Sequence, residues 1–589
     1  MPERLILCGG AKWAGGSSPL RLSTSGQSQN IVLELEDIGK KMVKRVPDLL
    51  ADLIEIATYV YCADRATTRG GLAQRAMGAE WRRSFHFIIP TRNPDHWNHS
   101  SVLDPLRAAL SFLSDDDYKF EFESATNPVA LQDYLKFGDD GEADEVVPFS
   151  GGLDSLSGAI EELSTRGKRI ALVSHRSSSK IFDHQKRLVA ELKRRFPKKV
   201  MHVPVLVTRQ EILRAKEYTQ RSRSFLYATL ACVVARLLGN NHIRFFENGV
   251  MSINLPISTQ LVGSRDTRTT HPLVLNHFRN FFSAAIGETI EVDNPFIWKT
   301  KRDVVRSIIN RGCGELIKQA VSCTRVHQMS RDHTHCGCCS QCIDRRFAIL
   351  ATNAAEHDPV EKYKVELLTG QRDKVEDQTM AESYVRMALE LRELGDVAFF
   401  SRFGGETARV LPCFRPLNAD EVGRRVFDLH QRHAQAIWDV LKAAVTGHSA
   451  ELIKRSLPAS SLLMMTVSPR GAPALAPISI RANPLDTWLD EVETEAEGEA
   501  SSGIPDAPPP REPAPTASNV RKRGARPMKL QRVKEAMERD LREGRQSAPS
   551  LRTMLEKDLA QTYGVSRDTA RKARNDVLSE FVENSIRDK

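Results

Sequence analysis

The ten residues Val146-Val147-Pro148-Phe149-Ser150-Gly151-Gly152-Leu153-Asp154-Ser155 constrain this chain more than any other stretch. Two apolar residues end an expected strand, and Ser-Gly-Gly-Leu-Asp-Ser leads into a helical run from Leu156 to Leu163. A strand that turns through paired glycines into a helix grips phosphate. Glycine tolerates positive φ and close backbone approach, successive N–H groups form an anion nest, and the helix N-terminus adds partial positive charge. Ser150 and Ser155 can donate hydroxyl hydrogen bonds to phosphate oxygens. Asp154 repels phosphate, so its expected task is to hold Mg²⁺. A Gly/Ser-rich connection without function is the plain alternative, and the whole six-residue string after a β pattern favours nucleotide binding. No Gly-Lys-Ser/Thr follows, so the turn is not a Walker-type loop.

The string resembles the PP-loop of the N-type ATP pyrophosphatases, which cleave ATP between the α and β phosphates. The resemblance implies a parallel α/β sheet with helices on both faces and an ATP site over Phe149, Ser150, Gly151, Gly152, Leu153, Asp154 and Ser155. It also leaves asparagine, NAD and GMP synthetases, tRNA thiolases, sulfate-activating reductases and deazaguanine synthases open. An asparagine synthetase is disfavoured, because Pro2 stands where its glutaminase half exposes a cysteine nucleophile.

A length of 589 residues calls for two to four domains, and 41% apolar residues suffice for their cores. No apolar run reaches the length of a membrane span, and the N-terminus lacks a secretory pattern. Ten cysteines in such a chain point to a reducing cytoplasm, with metal or catalysis as their use. The net charge of +9 is modest, so its placement matters more than its size.

Cys323, Cys336, Cys339 and Cys342 read C-x12-C-x2-C-x2-C. Four thiolates at that spacing suit a closed tetrahedral Zn²⁺ site that contributes folding energy. An iron–sulfur cluster is the rival. Cys338 is a surplus thiol that could exchange with a neighbour, and His327, His333 and His335 are expected at solvated loop positions. With these cysteines committed to metal, a sulfur-transfer enzyme is disfavoured.

A PP-loop followed by this cysteine group resembles the 7-cyano-7-deazaguanine synthases, the QueC-like enzymes. Arg221-Ser222-Arg223-Ser224 before an apolar helix looks like the family's Gly-Arg-Asn segment, with Arg223 on the family arginine. Ile243 to Gly249 looks like the strand and glycine turn bordering the substrate pocket. Pro295-Phe296-Ile297-Trp298-Lys299-Thr300-Lys301 looks like the family's Pro-Leu-x-Trp-x-x-Lys stretch, with Lys301 on its lysine. The resemblance covers residues 144–355. It implies transfer of AMP from ATP to a 7-deazaguanine carboxylate and attack by an amine. Asp154, Lys301 and Arg223 would be the catalytic groups, and His175 would contact the adenosine. Mg²⁺ and Zn²⁺ are the implied metals. In the synthases the segment after the glycine turn is acidic and aromatic, whereas Val250 to Pro256 is apolar here. That departure and the long extensions make the chain resemble the QueC-like proteins of anti-phage gene clusters, such as Qat and type IV CBASS systems. The acceptor implied is then an amine on a partner protein from the same cluster. An ordinary nitrile-forming synthase serving nucleic-acid modification and a DNA-binding regulator that senses nucleotide are the alternatives.

The flanks are read from pattern alone. Residues 1–143 are expected to form a small α+β domain, with a helix over Leu49–Val60 and strands at Phe85–Pro90 and Tyr118–Phe122, recognising the partner or covering the PP-loop domain. His96 and Trp97 are expected in an ordinary loop. Residues 356–480 read as helical and 481–527 as a Pro/Ala/Ser-rich linker too polar to fold. Residues 528–589 resemble a helix-turn-helix of winged, GntR-like regulators, with Gly564 at the turn and Ser566 capping the second helix. Arg567, Thr569, Arg571 and Arg574 would face DNA. Protein contact is the competing use of that shape.

Overall fold

The computed structural model describes residues 3–467 apart from 14, 16–18, 40–47, 70–81, 127, 129, 131–133, 139–141, 177, 210–219 and 257–267; it also describes 526–543, 556–563, 570, 573, 574 and 577. The chain divides into two units, Met1–Leu475 and Ala476–Lys589.

The first unit opens with β1 (Glu3–Cys8), β2 (Leu20–Leu22), β3 (Ile31–Gly39), α1 (Asp48–Ala66), β4 (Ser84–Thr91), α2 (Pro94–Asn98), α3 (Ser100–Ser114), β5 (Asp117–Ser124) and β6 (Leu135–Gly138). The segment carrying the Ser150–Ser155 turn follows as β7 (Glu145–Pro148), α4 (Leu153–Ser164), β8 (Ile170–His175), α5 (Ser179–Arg195), β9 (Val200–Arg209) and α6 (Arg223–Leu237). It continues through β10 (His242–Arg244), α7 (Gly249–Ile253), α8 (Pro272–Ile286), β11 (Glu291–Asp293), α9 (Lys301–Asn310) and α10 (Ser340–Ala351). Five helices close the unit: α11 (Val375–Glu393), α12 (Asp396–Val410), α13 (Ala419–Gly447), α14 (Ser449–Ile453) and α15 (Leu462–Val467).

Two sheets organise these elements, one of order β2-β1-β4-β5 and one of order β11-β10-β7-β8-β9-β3-β6. The larger is parallel from β11 to β9, as expected of strands such as Ile170–Val173 that are buried on both faces. Its far edge departs from the expected division at residue 143. β3 pairs antiparallel with β9 and β6 pairs with β3, so the N-terminal region completes the sheet that carries the turn. The smaller sheet is wholly parallel, which corrects the α+β expectation to α/β. Phe85 to Ile89 is buried on both faces, as a central parallel strand requires, while β5 alternates exposed and buried residues at an edge.

One core joins the two sheets, running from Phe85, Phe87 and Trp97 through Leu53 and Ile56 of α1 to Val203 and Val205 of β9 and Phe225 of α6. Trp97 therefore lies in the core rather than in a loop. A second core, with Leu156, Ile160 and Leu188, covers the opposite face of the large sheet with α4, α5 and α9. From β7 the chain continues to β8 on one side and later returns to β10 on the other. The C-terminal ends of β7 and β10 thus flank the crevice where open α/β sheets receive ligands.

The helices after residue 375 pack on this body through two further cores, and one of them explains the apolar pocket segment. Ile253 and Leu255 are buried against Phe399, Phe403, Val422 and Val426 of α12 and α13. Gly249 opens α7 where a Cβ would fall 1.7 Å from the carbonyl oxygen of Ile297, so no larger residue fits.

In the second unit, α16 (Arg526–Arg542) starts two residues before the expected boundary at 528, and α17 (Glu556–Thr562) follows. Val533, Met537, Leu559, Ala570, Ala573 and Val577 form its core. The linker residues 481–525 and the positions Gly564, Ser566, Arg567, Thr569 and Arg571 lie outside the described residues. Arg574 is helical and partly exposed.

Candidate functional site

The Ser150–Ser155 turn is held from behind, with Ser150 exposed and Gly152 partly exposed. Phe149 is buried and its N–H donates to Val173 O at 2.8 Å. Ser174 Oγ and Gln185 Nε2 donate to Phe149 O, and Gln185 also reaches Ser150 O at 3.2 Å. Gly151 takes a φ of +82°, as glycine allows, and the next N–H, that of Gly152, donates to Ser150 Oγ at 3.3 Å. Gly152 caps α4 with no side chain over the helix end, and Leu153 anchors the first turn in the core. Ser150 Oγ lies 3.2 Å from Ser155 Oγ. The result is an uncapped helix N-terminus beside two hydroxyls, suited to an anion.

Lys301 and Asp154 meet at the crevice. Lys301 opens α9, which is fixed by a capping box between Thr300 and Asp303. Its Nζ contacts Asp154 Oδ2 and lies 3.8 Å from Asp344 Oδ2 and 4.0 Å from Glu247 Oε1. Asp154 Oδ1 accepts from the N–H and Nδ2 of Asn248 at 3.1 and 3.2 Å. Burial opposes the Lys301 charge, but Asp154, Glu247 and Asp344 together raise its pKa above the ordinary lysine value. Burial first, and then the Asp154 charge, push Glu247 well above the usual carboxylate range. Tyr384 of α11 donates to Asp344 Oδ1 at 2.7 Å, and its hydroxyl also lies 3.4 Å from His433 Nε2 of α13.

Glu247, Asp344 and Tyr384 had no assigned role in the sequence reading. Glu247 lies in the expected pocket strand-turn and Asp344 two residues beyond Cys342, so adjacency to those motifs was the available signal. Tyr384 carried none.

Cys323, Cys336, Cys339 and Cys342 are buried with their sulfurs within 4.8 Å of one another; among the described residues no other group offers such a ligand set. Tetrahedral zinc with Zn–S of about 2.3 Å sets the sulfurs about 3.8 Å apart, and Cys336 and Cys342 stand 3.9 Å apart. The N–H groups of Cys338 and Cys339 donate to the Cys336 sulfur, as a thiolate ligand would want. The quartet fits one zinc ion and is too close for a multi-iron cluster to stand between its members. Cys338 is outside it, and burial pushes its thiol up to about 12. His335 is buried rather than solvated, stacked on Tyr363 at 4.8 Å with Nδ1 near Thr334 Oγ1.

Two expected site residues stand away from the crevice. His175 ends β8 fully buried, so it forms no open wall for an adenosine. Its Nε2 donates to Val207 O, its ring stands edge-on to Tyr61 and Tyr227, and burial together with the Arg223 charge lowers its pKa to about 3. Arg223 is partly exposed in the first turn of α6 and donates to the Tyr227 hydroxyl at 3.3 Å. The N-terminal region fixes the start of that helix: Asp64 of α1 accepts from the N–H and Oγ of Ser222, and Arg221 pairs with Asp115.

Among the described residues no helix is long and apolar enough to cross a membrane. No curated protein matches the chain. Residues 266–353 match the family model described as QueC: Queuosine biosynthesis protein QueC. The matched stretch holds Lys301, the cysteine quartet and Asp344, so the part of the site that faces Asp154 is QueC-like.

Proposed function

We propose that the chain grips ATP on the Ser150–Ser155 turn and transfers AMP to a 7-deazaguanine carboxylate, which then passes to an amine. The observation that carries this reading is the contact of Asp154, on the turn, with Lys301, inside the stretch that matches QueC, an ATP-using synthase family. In the first step a carboxylate oxygen attacks the α-phosphorus and the bond to pyrophosphate breaks. In the second the amine attacks the acyl carbon, AMP leaves, and the nitrogen loses a proton. The turn N–H groups and the α4 terminus take the phosphates, and the Lys301 ammonium stabilises the charge that grows on them. Mg²⁺ would spread the same charge, with Asp154 the carboxylate in reach of it. Zinc on the four cysteines would fix the start of α10 and so the place of Asp344.

We read the acceptor as an amine of a partner protein encoded in an anti-phage gene cluster. The added helices and the second unit, which a small-molecule synthase does not need, support that reading. The apolar segment after Gly249 no longer counts toward it, because its side chains pack against α12 and α13. Incubation with ATP, Mg²⁺ and 7-carboxy-7-deazaguanine, followed by mass spectrometry of small molecules and neighbouring gene products, tests both parts. Acid-dependent AMP formation with a mass gain on a protein is expected. Nitrile formation without that gain would move the acceptor to ammonia, and no acid-dependent AMP would remove the adenylation reading.

A further inference from the structure

Three guanidinium groups gather at the rim of the large sheet, on the face covered by α1 and α6. Val203, Val205 and Val207 of β9 point into the core on that face, and strand alternation puts Arg209 on the same side at the strand's end. Arg65 lies in the last turn of α1 and Arg223 in the first turn of α6. Arg65 Nη1 donates to the Tyr61 hydroxyl at 3.1 Å, which itself donates to Gln220 Oε1 at 3.4 Å, and Arg223 Nη2 donates to the Tyr227 hydroxyl at 3.3 Å. The His175 ring stands between the two tyrosines, 5.4 and 5.8 Å from their centroids.

Among the described residues none of the three arginines pairs with a carboxylate. Their neighbours do: Arg176 pairs with Glu36, and Arg221 and Arg268 with Asp115. Nε of Arg65 and Nη1 of Arg209 are buried without a hydrogen-bond partner among the described residues. An unmatched buried donor costs free energy, and grouped like charges cost more. Burial, and then the Arg65 charge, lower the Arg209 pKa, which reports the same crowding. His175 is held neutral and supplies no counter-charge.

We propose that Arg65, Arg209 and Arg223, with the Tyr227 hydroxyl, form a binding site for the phosphate group of a ligand. One guanidinium suffices for a carboxylate; three match a doubly charged phosphate, whose oxygens accept paired N–H donors. His175 ends β8 and Arg209 ends β9, at the same edge of the sheet as the Ser150–Ser155 turn. The phosphate comes either from ATP itself or from a second, phosphorylated ligand. With Arg65 on α1, the N-terminal region becomes a wall of the ligand site instead of a cover. This site does not depend on the adenylation reading, which Asp154→Asn tests separately.

The test uses the full chain, calorimetric titration with inorganic phosphate, pyrophosphate and ATP at matched ionic strength, and thermal melting. Wild-type protein binds phosphate or pyrophosphate and melts higher in their presence. Arg65→Gln and Arg209→Gln each weaken that binding about tenfold, and the double variant melts no lower than wild type without ligand, because repulsion is relieved. Loss of ATP affinity in step with phosphate assigns the group to ATP; unchanged ATP affinity assigns it to a second ligand. Wild-type protein that ignores phosphate and pyrophosphate, or single variants that bind them as wild type does, would overturn the site. Arg209→Lys, which keeps the charge and removes the planar fork, gives an intermediate affinity.

Discussion

Two buried charge clusters in the first unit are built to opposite rules. In the N-terminal region, Arg83 Nη2 binds Asp64 Oδ1 at 2.5 Å and Asp116 Oδ2 at 2.6 Å, while Arg69 grips Asp116 with both terminal nitrogens. The Arg83 Nη1 takes the carbonyl oxygens of Asp64 and Thr67, and Asp64 also accepts from Ser222. Two arginines face two aspartates, and the charges cancel. Around Lys301, one ammonium serves Asp154, Glu247 and Asp344, Asp344 Oδ2 has no hydrogen-bond partner among the described residues, and burial with the Asp154 charge holds the Glu247 pKa well above the usual carboxylate range. A cluster whose charges balance needs nothing more to hold its shape. The cluster beside the Ser150–Ser155 turn instead carries a surplus of carboxylates that the one ammonium does not balance.

The widest separation of the two clusters comes from neutralising one carboxylate in each. Asp116→Asn leaves Arg69 and Arg83 short of charge in a closed site and should cost about 3–5 kcal/mol in chemical denaturation, with AMP formation per folded molecule unchanged. Asp154→Asn removes one of three crowded carboxylates and should cost less than Asp116→Asn, because Glu247 and Asp344 remain beside Lys301, while AMP formation falls about 100-fold or more. If Asp154→Asn unfolds as Asp116→Asn does, the two clusters are alike and the distinction fails.

The metal centre bears on only one of the clusters. Cys339 caps α10, the helix that carries Asp344 to Lys301. Purified protein should hold about one zinc per chain by elemental analysis. Cys339→Ser should lose the metal, lower the melting temperature and reduce AMP formation, whereas Cys338→Ser should keep the metal. Zinc retained in Cys339→Ser, or lost in Cys338→Ser, would reassign the ligands.

Acid separates burial of neutral rings from burial of charge. Burial lowers the pKa of His175 and His271 to about 3 and of His202 and His430 to about 4. Groups depressed in the folded state bind fewer protons there than in the unfolded chain. Stability present above the unfolded value of about 6.5 is therefore lost as pH falls toward 4, by up to about 1.4 kcal/mol per pH unit for each histidine. Glu247 has the opposite sign: its raised pKa favours the fold at low pH and is lost as pH rises through it. Denaturation midpoints between pH 7 and 4 should fall, and His202→Gln should flatten the slope by about one proton. A flat profile would mean that the rings take up protons without unfolding.

The legible parts were those where one local pattern does one local job. Ser150 to Ser155 forms a turn with a positive φ because it carries adjacent glycines, and the cysteine spacing closes a knuckle because its ligands are near in sequence. Contacts set by topology were not readable. Nothing in Ile31–Gly39 announces that it joins β9 beyond the expected domain boundary, and nothing in Tyr384 announces Asp344. The apolar run after Gly249 misled for the same reason. Its hydrophobicity was visible but the helices that bury it lay far along the chain, so packing was read as a changed pocket. The resemblance put His175 at an adenosine, and nothing in the sequence shows Tyr61 of α1 standing edge-on to its ring.

The smallest effect expected is at the join between the clusters' surroundings and the added helices. The Tyr384 hydroxyl is buried, donates to Asp344 Oδ1 and touches no other carboxylate among the described residues. Tyr384→Phe deletes one hydrogen bond to a charged group and keeps the ring stacked on Phe347, so stability should fall by about 1.5–3 kcal/mol at most. Asp344 acts through Lys301, and a freed carboxylate would settle closer to the ammonium and draw it from the phosphates. A fall in kcat of about threefold to tenfold with ATP KM nearly unchanged is therefore expected, and Tyr384→Phe combined with Asp344→Asn should lose no more than Asp344→Asn alone. Additive losses would show that Tyr384 serves the packing of α11 and α13 and nothing at the crevice.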